Sequence, residues 1–270
     1  MTTIAITNQK GGVGKTTTSV DPRAALAANK QRVLMIDLDP QGNATMGSGV
    51  DKHDVERSSY DVLIHNARIE EVRHRSESGG FDVVPANADL TAAEIELVTA
   101  TTKEHRLRYA LARVKHEYDY VLIDCPPSLN MLTINALVAS DSVLVPVQCE
   151  YYALEGLSSL LNTIARVQKS LNPALRIEGL LRTMYDARNT LTNEVSMQLI
   201  GHFGSRVYST LIPRNVRLAE APSHGQPALV YDPASRGAIA YLAAASEMLR
   251  RHGKQASILT PDAEPSAAGE

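Results

Sequence analysis

Asn8-Gln9-Lys10-Gly11-Gly12-Val13-Gly14-Lys15-Thr16-Thr17 follows a short apolar run, Thr3–Thr7, and leads into a stretch of helical pattern. Glycines let the backbone curl so that successive N–H groups point at one anion, and the start of a helix favours negative charge. Lys15 is placed to reach the β and γ phosphates of a nucleotide, and the Thr16 hydroxyl to ligate Mg2+. Strand, loop and helix come in the order this chemistry needs. The common spacing of such loops has a glycine at position 9; here Gln9 stands there, followed by a second lysine, Lys10.

Outward from the loop, further β-rich runs alternate with helical patterns: Arg32–Asp37, Phe81–Pro85, Tyr120–Asp124, Ser142–Val147, Ile177–Met184 and Arg206–Ile212. Between two of them, Leu154, Leu157, Leu160, Leu161, Ile164 and Val167 recur with helical period. Continuous apolar strands such as Val121-Leu122-Ile123 are those of a parallel sheet buried on both faces. The prediction is an α/β fold: a doubly wound, mostly parallel sheet with helices on both faces, forming a single domain over residues 1–252. No linker or internal repeat interrupts that span. Residues 253–270, GKQASILTPDAEPSAAGE, are small, polar and Pro-containing, and are expected to form a disordered tail.

Composition limits the function classes. Of 270 residues, 44% are hydrophobic and 21% charged, with 16 Gly and 13 Pro, which excludes a disordered or fibrous chain. Cys125 and Cys149 sit in apolar runs, arguing against a disulfide framework and for a reducing cytoplasm. No apolar run approaches the roughly 20 residues that span a bilayer, and Met1-Thr2-Thr3-Ile4 lacks a basic leader, so a cytosolic protein is expected. With no Trp, 2 Phe and 10 Tyr, a stacking platform for single-stranded nucleic acid is not expected. The net charge of -3 is unevenly distributed: 15 basic against 20 acidic residues over 1–150, 11 against 7 over 151–253, and 1 against 3 over 254–270. A modest basic excess of this kind is commonly just a solvated face.

Two acidic elements complete the nucleotide pattern. After Arg32–Asp37 comes Asp37-Leu38-Asp39-Pro40-Gln41-Gly42-Asn43, with carboxylates at the C-terminal end of a parallel strand, where they face the ligand crevice. Tyr120-Val121-Leu122-Ile123-Asp124-Cys125-Pro126-Pro127 ends a second buried strand with an acid and a forced turn, and Asp124 reads as a Walker-B type carboxylate beside Mg2+.

Lys10-Gly11-Gly12-Val13-Gly14-Lys15-Thr16-Thr17 resembles the deviant Walker A box of the ParA/MinD ATPases, a group of P-loop NTPases. Residues 1–252 as a whole resemble the chromosomal ParA (Soj) branch, through DLDPQGNAT (Asp37–Thr45), DCPPSL (Asp124–Leu129), PVQCEYYALEG (Pro146–Gly156), TMYDAR (Thr183–Arg188) and IPRNVRLAEAPSHG (Ile212–Gly225). The resemblance implies an ATPase with slow, partner-stimulated hydrolysis that dimerises with ATP. It implies catalytic roles for Lys10, Lys15 and Asp39. The nucleotide is expected on Gly11, Gly12, Val13, Gly14, Lys15, Thr16 and Thr17, with Met184, Pro213, Arg214 and Asn215 near the adenine, and Mg2+ on Thr16, Asp39 and Asp124. By the same resemblance two subunits sandwich two ATP molecules, and Lys10 reaches the partner's phosphates, which explains why ATP rather than ADP supports the dimer.

The output implied is non-specific binding of double-stranded DNA in the ATP state through Arg188 and Arg217, release on hydrolysis stimulated by a ParB-type protein, and a role in chromosome or plasmid partitioning at the nucleoid. Phosphate contacts need clustered Arg or Lys rather than bulk basicity, and dimerisation doubles a modest patch. A MinD-like protein would instead carry a basic amphipathic C-terminal helix for membrane attachment; the end here, Ala267-Ala268-Gly269-Glu270, gives no reason to expect membrane binding. Iron–sulfur carriers on this fold need cysteine ligands from each subunit, whereas Cys125 and Cys149 read as small buried residues. Some plasmid relatives add an N-terminal helix-turn-helix, which is not expected in a chain that starts on its first strand.

One triplet departs from the pattern. Relatives continue the P-loop helix with Asn-Leu-Ala or similar, whereas this chain has Asp21-Pro22-Arg23. A proline inside a helix costs about 3 kcal/mol, against a net stability of roughly 5–15 kcal/mol. Arg23 falls on a helix that should pack on the sheet, where a charge is tolerated only if it snorkels out. The expectation is a helix that kinks at Pro22 or is weakened there, with a P-loop, ATP site or dimer weakened in consequence.

Overall fold

The apolar runs become one eight-stranded sheet in the computed structural model, which describes residues 1–254. Its strands are β1 (Thr2–Ile6), β2 (Val33–Asp37), β3 (His74–Ser76), β4 (Phe81–Val84), β5 (Tyr120–Asp124), β6 (Ser142–Gln148), β7 (Arg176–Tyr185) and β8 (Val207–Pro213), in the order β3-β4-β2-β5-β1-β6-β7-β8. Every pairing is parallel except β3 with β4. The doubly wound architecture is therefore as expected, with β3 as an unforeseen antiparallel edge.

Helices fill the connections: α1 (Lys15–Ala28), α2 (Asn43–Met46), α3 (Ser59–Ile64), α4 (Ile69–Val72), α5 (Leu90–Thr99), α6 (Arg106–Arg113), α7 (Met131–Ala139), α8 (Ala153–Ser170), α9 (Thr190–Phe203), α10 (Val216–Glu220), α11 (Ala228–Tyr231) and α12 (Arg236–Arg251). Successive strand residues feed opposite cores, as the two-residue period of a strand requires. Ala5, Leu34, Ile36, Val121 and Ile123 pack with residues of α3 to α9. Ile4, Ile6, Met35 and Leu122 pack with α1 and α12. The helical repeat read from the sequence is the buried stripe of α8, with Leu157, Leu160, Ile164 and Val167 buried and Leu154 and Leu161 at its margin.

β1 lies between β5 and β6, so the chain winds to one side of β1 and then to the other. Ligands of such sheets bind in the crevice at the carboxyl ends of the strands where this reversal occurs. The loop of Asn8–Gly14 stands at that point.

α1 runs through Pro22 as one continuous helix. The proline still removes the N–H that would serve the carbonyl of Thr18. The condition under which a charge at position 23 is tolerated, that it snorkels out, is not met: Arg23 is 0% exposed, and its guanidinium lies 5.3 Å from the centre of the Phe81 ring. At its place on α1 the side chain points into the core of the α1–α12 face, leaving it no path to water. Neighbouring Asp21 is also buried, and its Oδ1 accepts the Ala228 N–H at 2.7 Å, tying α1 to the first residue of α11.

Of the expected tail, Gly253 and Lys254 belong to the folded body. The Lys254 N–H donates to the Leu249 carbonyl at 2.8 Å, and its Nζ sits 4.4 Å from the Tyr120 ring centre. Residues 255–270 of that tail lie outside the described residues. Among the described residues no helix is long and apolar enough to cross a membrane.

Candidate functional site

The loop between β1 and α1 turns on two left-handed glycines, Gly12 at φ 72° and Gly14 at φ 79°. A side chain in that conformation is strained, so glycine is required there. Neighbouring strands fix the loop from both sides. Asn8 Nδ2 donates to the Pro146 carbonyl at 2.7 Å, and the Thr183 hydroxyl donates to the carbonyl of buried Val13 at 2.8 Å. A Cβ built on Gly11 or Gly12 would meet nothing within 4 Å, so the concave side of the loop is open.

Lys15, at the first residue of α1, is largely buried, and its Nζ donates to the Lys10 carbonyl at 2.9 Å. Burial lowers its pKa, while Asp124 and Asp39 act against that shift, which places both carboxylates in the field of the ammonium. Lys10 Nζ meets Glu150 Oε2 at 2.5 Å, and Gln148 Nε2 donates to the other oxygen of Glu150. Thr16 and Thr17 stand half-buried on the first turn of α1.

Asp37 and Asp124 are register partners on β2 and β5, both fully buried. Asp37 serves the fold: Oδ1 accepts the Asp39 N–H at 3.0 Å, and Oδ2 accepts the Thr45 N–H at 2.8 Å and the Thr45 hydroxyl at 2.7 Å. Asp124 accepts the Ser19 hydroxyl at 2.6 Å on Oδ1 only, and among the described residues its buried Oδ2 has no partner. Burial first, and then their mutual repulsion at Asp124, push these carboxyls above the usual carboxylate range. Asp39 is half-buried, and its Oδ1 accepts the Gln41 N–H at 3.0 Å. A buried carboxylate oxygen without a donor, beside a lysine at a helix start, is an arrangement that accommodates a hydrated divalent cation on an anionic ligand.

A cavity of about 150 Å3 opens beside the loop, bounded by Gly14 and Thr17 and by all four residues expected near the adenine, Met184, Pro213, Arg214 and Asn215. Met184 holds a left-handed backbone at φ 49°, rare for a residue with a side chain, which carries the strand end over Gly14. Pro213 and Arg214 form a wall whose other side faces a larger groove of about 1010 Å3. The sequence reading missed Ser19, Thr183 and Tyr241 at this site. Ser19 lies one helical turn after Lys15, and that spacing is the signal that could have found it.

Neither of the two arginines expected to meet DNA lines the cavity beside the loop. Arg188 is 91% exposed and pairs with Asp186 at 3.0 Å. Arg217 is bridged to Glu220 at 2.8 Å and to Asp232 at 3.2 Å. Cys125 and Cys149 are both buried, and burial pushes the Cys149 thiol up to about 11.

A family model described as an AAA domain matches residues 1–177. The sporulation initiation inhibitor protein Soj of Bacillus subtilis is 58% identical over 245 residues, covering 91% of this chain and 97% of its own length. The chromosome partitioning protein ParA of Caulobacter vibrioides is 51% identical over 250 residues, covering 92% and 94%. Among solved structures, cobyrinic acid a,c-diamide synthase of Mycobacterium smegmatis with bound ADP and magnesium superposes with a TM-score of 0.82 at 38% identity, covering 97% of this chain and 100% of that one.

Proposed function

Because the chain belongs to the ParA/Soj family of chromosome-partitioning ATPases, we propose that it binds ATP with Mg2+ and hydrolyses it slowly. In its ATP state it dimerises and holds double-stranded DNA without sequence preference, working with a ParB-type partner in partitioning. The observation that carries the reading is the open glycine loop with Lys15 at its helix start, in the field of Asp39 and of Asp124, whose buried Oδ2 has no partner among the described residues.

The residues present fit a magnesium nucleotide. Gly11, Gly12, Val13, Gly14, Lys15, Thr16 and Thr17 supply the backbone cradle for the phosphates, and Met184, Pro213, Arg214 and Asn215 the base cavity. With nucleotide bound, the Lys15 ammonium would exchange the Lys10 carbonyl for a phosphate oxygen. Thr16, Asp39 and Asp124 are the residues that would hold Mg2+, which when bound offsets the charge gathered between phosphates and carboxylates. Asp39, reachable from solvent and steadied by the Gln41 N–H, orients the attacking water. Lys10 leaves Glu150 to reach the partner subunit's nucleotide. A half-exposed ion pair of this kind contributes only about 0–1 kcal/mol, so its release costs little. DNA then meets the exposed arginines, Arg188 first among them.

Sedimentation of the protein without nucleotide, with ADP and with ATP, each with and without plasmid DNA, tests the whole reading. ATP-selective dimers that carry DNA are expected; DNA binding that ignores the nucleotide would overturn it.

A further inference from the structure

We propose that Arg23 is a built-in countercharge beneath the carboxyl pair of Asp37 and Asp124, one that lowers the dependence of ATP binding on Mg2+. This deepens the reading of Asp124 as a magnesium residue and rests on it. Lys15, Ser19 and Arg23 follow one another at intervals of four along α1, so they share one face of the helix. That face looks onto the acid pair, because the Ser19 hydroxyl donates to Asp124 Oδ1 at 2.6 Å. Asp37 and Asp124 are register partners and stand two residues beyond Met35 and Leu122, which pack with α1, so both carboxyls belong to the helix side of the sheet.

Arg23 lies one turn below Ser19 in this same layer. It is wholly buried over the Phe81 ring, and among the described residues its Nε, Nη1 and Nη2 donate to nothing. The buried Oδ2 of Asp124 likewise accepts nothing. Charges enclosed in a dry layer are screened far less than charges on the surface, so they act on one another without touching. Asp124, Asp37 and Asp21 are the carboxylates that pull on the Arg23 guanidinium, Asp124 most strongly. A fixed positive charge under the acid pair opposes the entry of a divalent cation and favours an anionic ligand. Both effects have one consequence: ATP is held more firmly without metal, and Mg2+ adds less to that hold.

The test is the affinity of the full-length protein for a fluorescent ATP analogue at low salt, once with excess Mg2+ and once with EDTA, in the wild type, Arg23→Met and Arg23→Ala. The gain in affinity on adding Mg2+ should be at least about fourfold larger in both neutral variants, as Coulomb's law gives for a single and a double charge about 10 Å apart even at the dielectric of water. Asp124→Asn, measured alongside, should make the gain smaller than in the wild type. An unchanged gain in both Arg23 variants, with a smaller one in Asp124→Asn, overturns this inference and leaves the magnesium reading standing. A gain that Asp124→Asn does not alter overturns that reading and the inference with it. A change in Arg23→Ala that Arg23→Met does not share traces the effect to the space left by truncation and overturns the proposal.

Discussion

Replacing Arg23 by methionine should make the protein markedly more stable. Arg23 is wholly enclosed, and its Nε, Nη1 and Nη2 have no hydrogen-bond partner among the described residues. Burial pushes the guanidinium down from 12.5 to about 9 against the pull of Asp124, Asp37 and Asp21, a displacement equivalent to roughly 5 kcal/mol against the charged form. Methionine keeps an unbranched stem in the same space, and imperfect refilling offsets about 1–2 kcal/mol of the gain. A net stabilisation of about 3 kcal/mol corresponds to a Tm higher by roughly 6–12 °C for a domain of this size.

The charge signature separates this cause from a packing effect. Because the folded pKa is depressed, the penalty is complete below about pH 9 and is relieved between about 9 and 12.5 as the folded-state guanidinium releases its proton. The gap between Arg23→Met and the wild type should therefore be constant near neutrality and shrink by up to about 1.4 kcal/mol per pH unit above about 9. Thermal unfolding followed by circular dichroism, near neutral pH and again near pH 10, reads both. A variant no more stable than the wild type, or a gap that is the same at both pH values, refutes the reasoning.

Asp21→Asn keeps the acceptor for the Ala228 N–H and removes a carboxyl that burial pushes up from 3.8 to about 7. Because the folded pKa is raised, the cost of burying this carboxyl builds up from about pH 4 and is complete above about pH 7, so the variant should gain roughly 2–4 kcal/mol at pH 8 and lose that advantage as pH falls toward 4, measured by urea unfolding at both ends. Lys15→Ala should lower the hydrolysis rate at least about 100-fold and abolish ATP-dependent sedimentation, with Tm nearly unchanged; retained phosphate release would remove Lys15 from the catalytic role. Glu150→Ala frees Lys10 from its pairing on the same subunit and should lower the concentration at which ATP dimers form by up to about fivefold, as expected of a pair worth about 0–1 kcal/mol. Chelating Mg2+ with EDTA should weaken ATP retention on a filter more than ADP retention; equal loss would count against metal held by Thr16, Asp39 and Asp124.

The parallel strands were legible because each is a continuous apolar run, and their observed limits fall within a residue of those read from the sequence. β3 escaped because His74-Arg75-Ser76 is three residues long with two of them exposed, so it carries neither alternation nor an apolar run. The glycine loop and its acids were legible because their spacing is itself the chemistry. What the pattern could not convey was where long side chains go. Lys10 is committed to Glu150, 140 positions away, and Arg217 is bridged to Asp232 as well as to its helical neighbour Glu220. Arg23 was legible as a charge on a helix packed against the sheet; what its position alone does not give is that the guanidinium stays wholly inside, over the Phe81 ring.

Pro213 and Arg214 face two cavities at once, one of about 150 Å3 beside the glycine loop and one of about 1010 Å3 on their far side. A shared partition imposes reciprocity: if an occupant on one side shifts it, the affinity on the other side changes, and the reverse effect has the same free energy by linkage. Couplings of this kind commonly amount to about 1–3 kcal/mol, or 5- to 150-fold in affinity. If a nucleotide strengthens binding on the far side through this segment, the far-side occupant must hold the nucleotide more firmly by the same free energy.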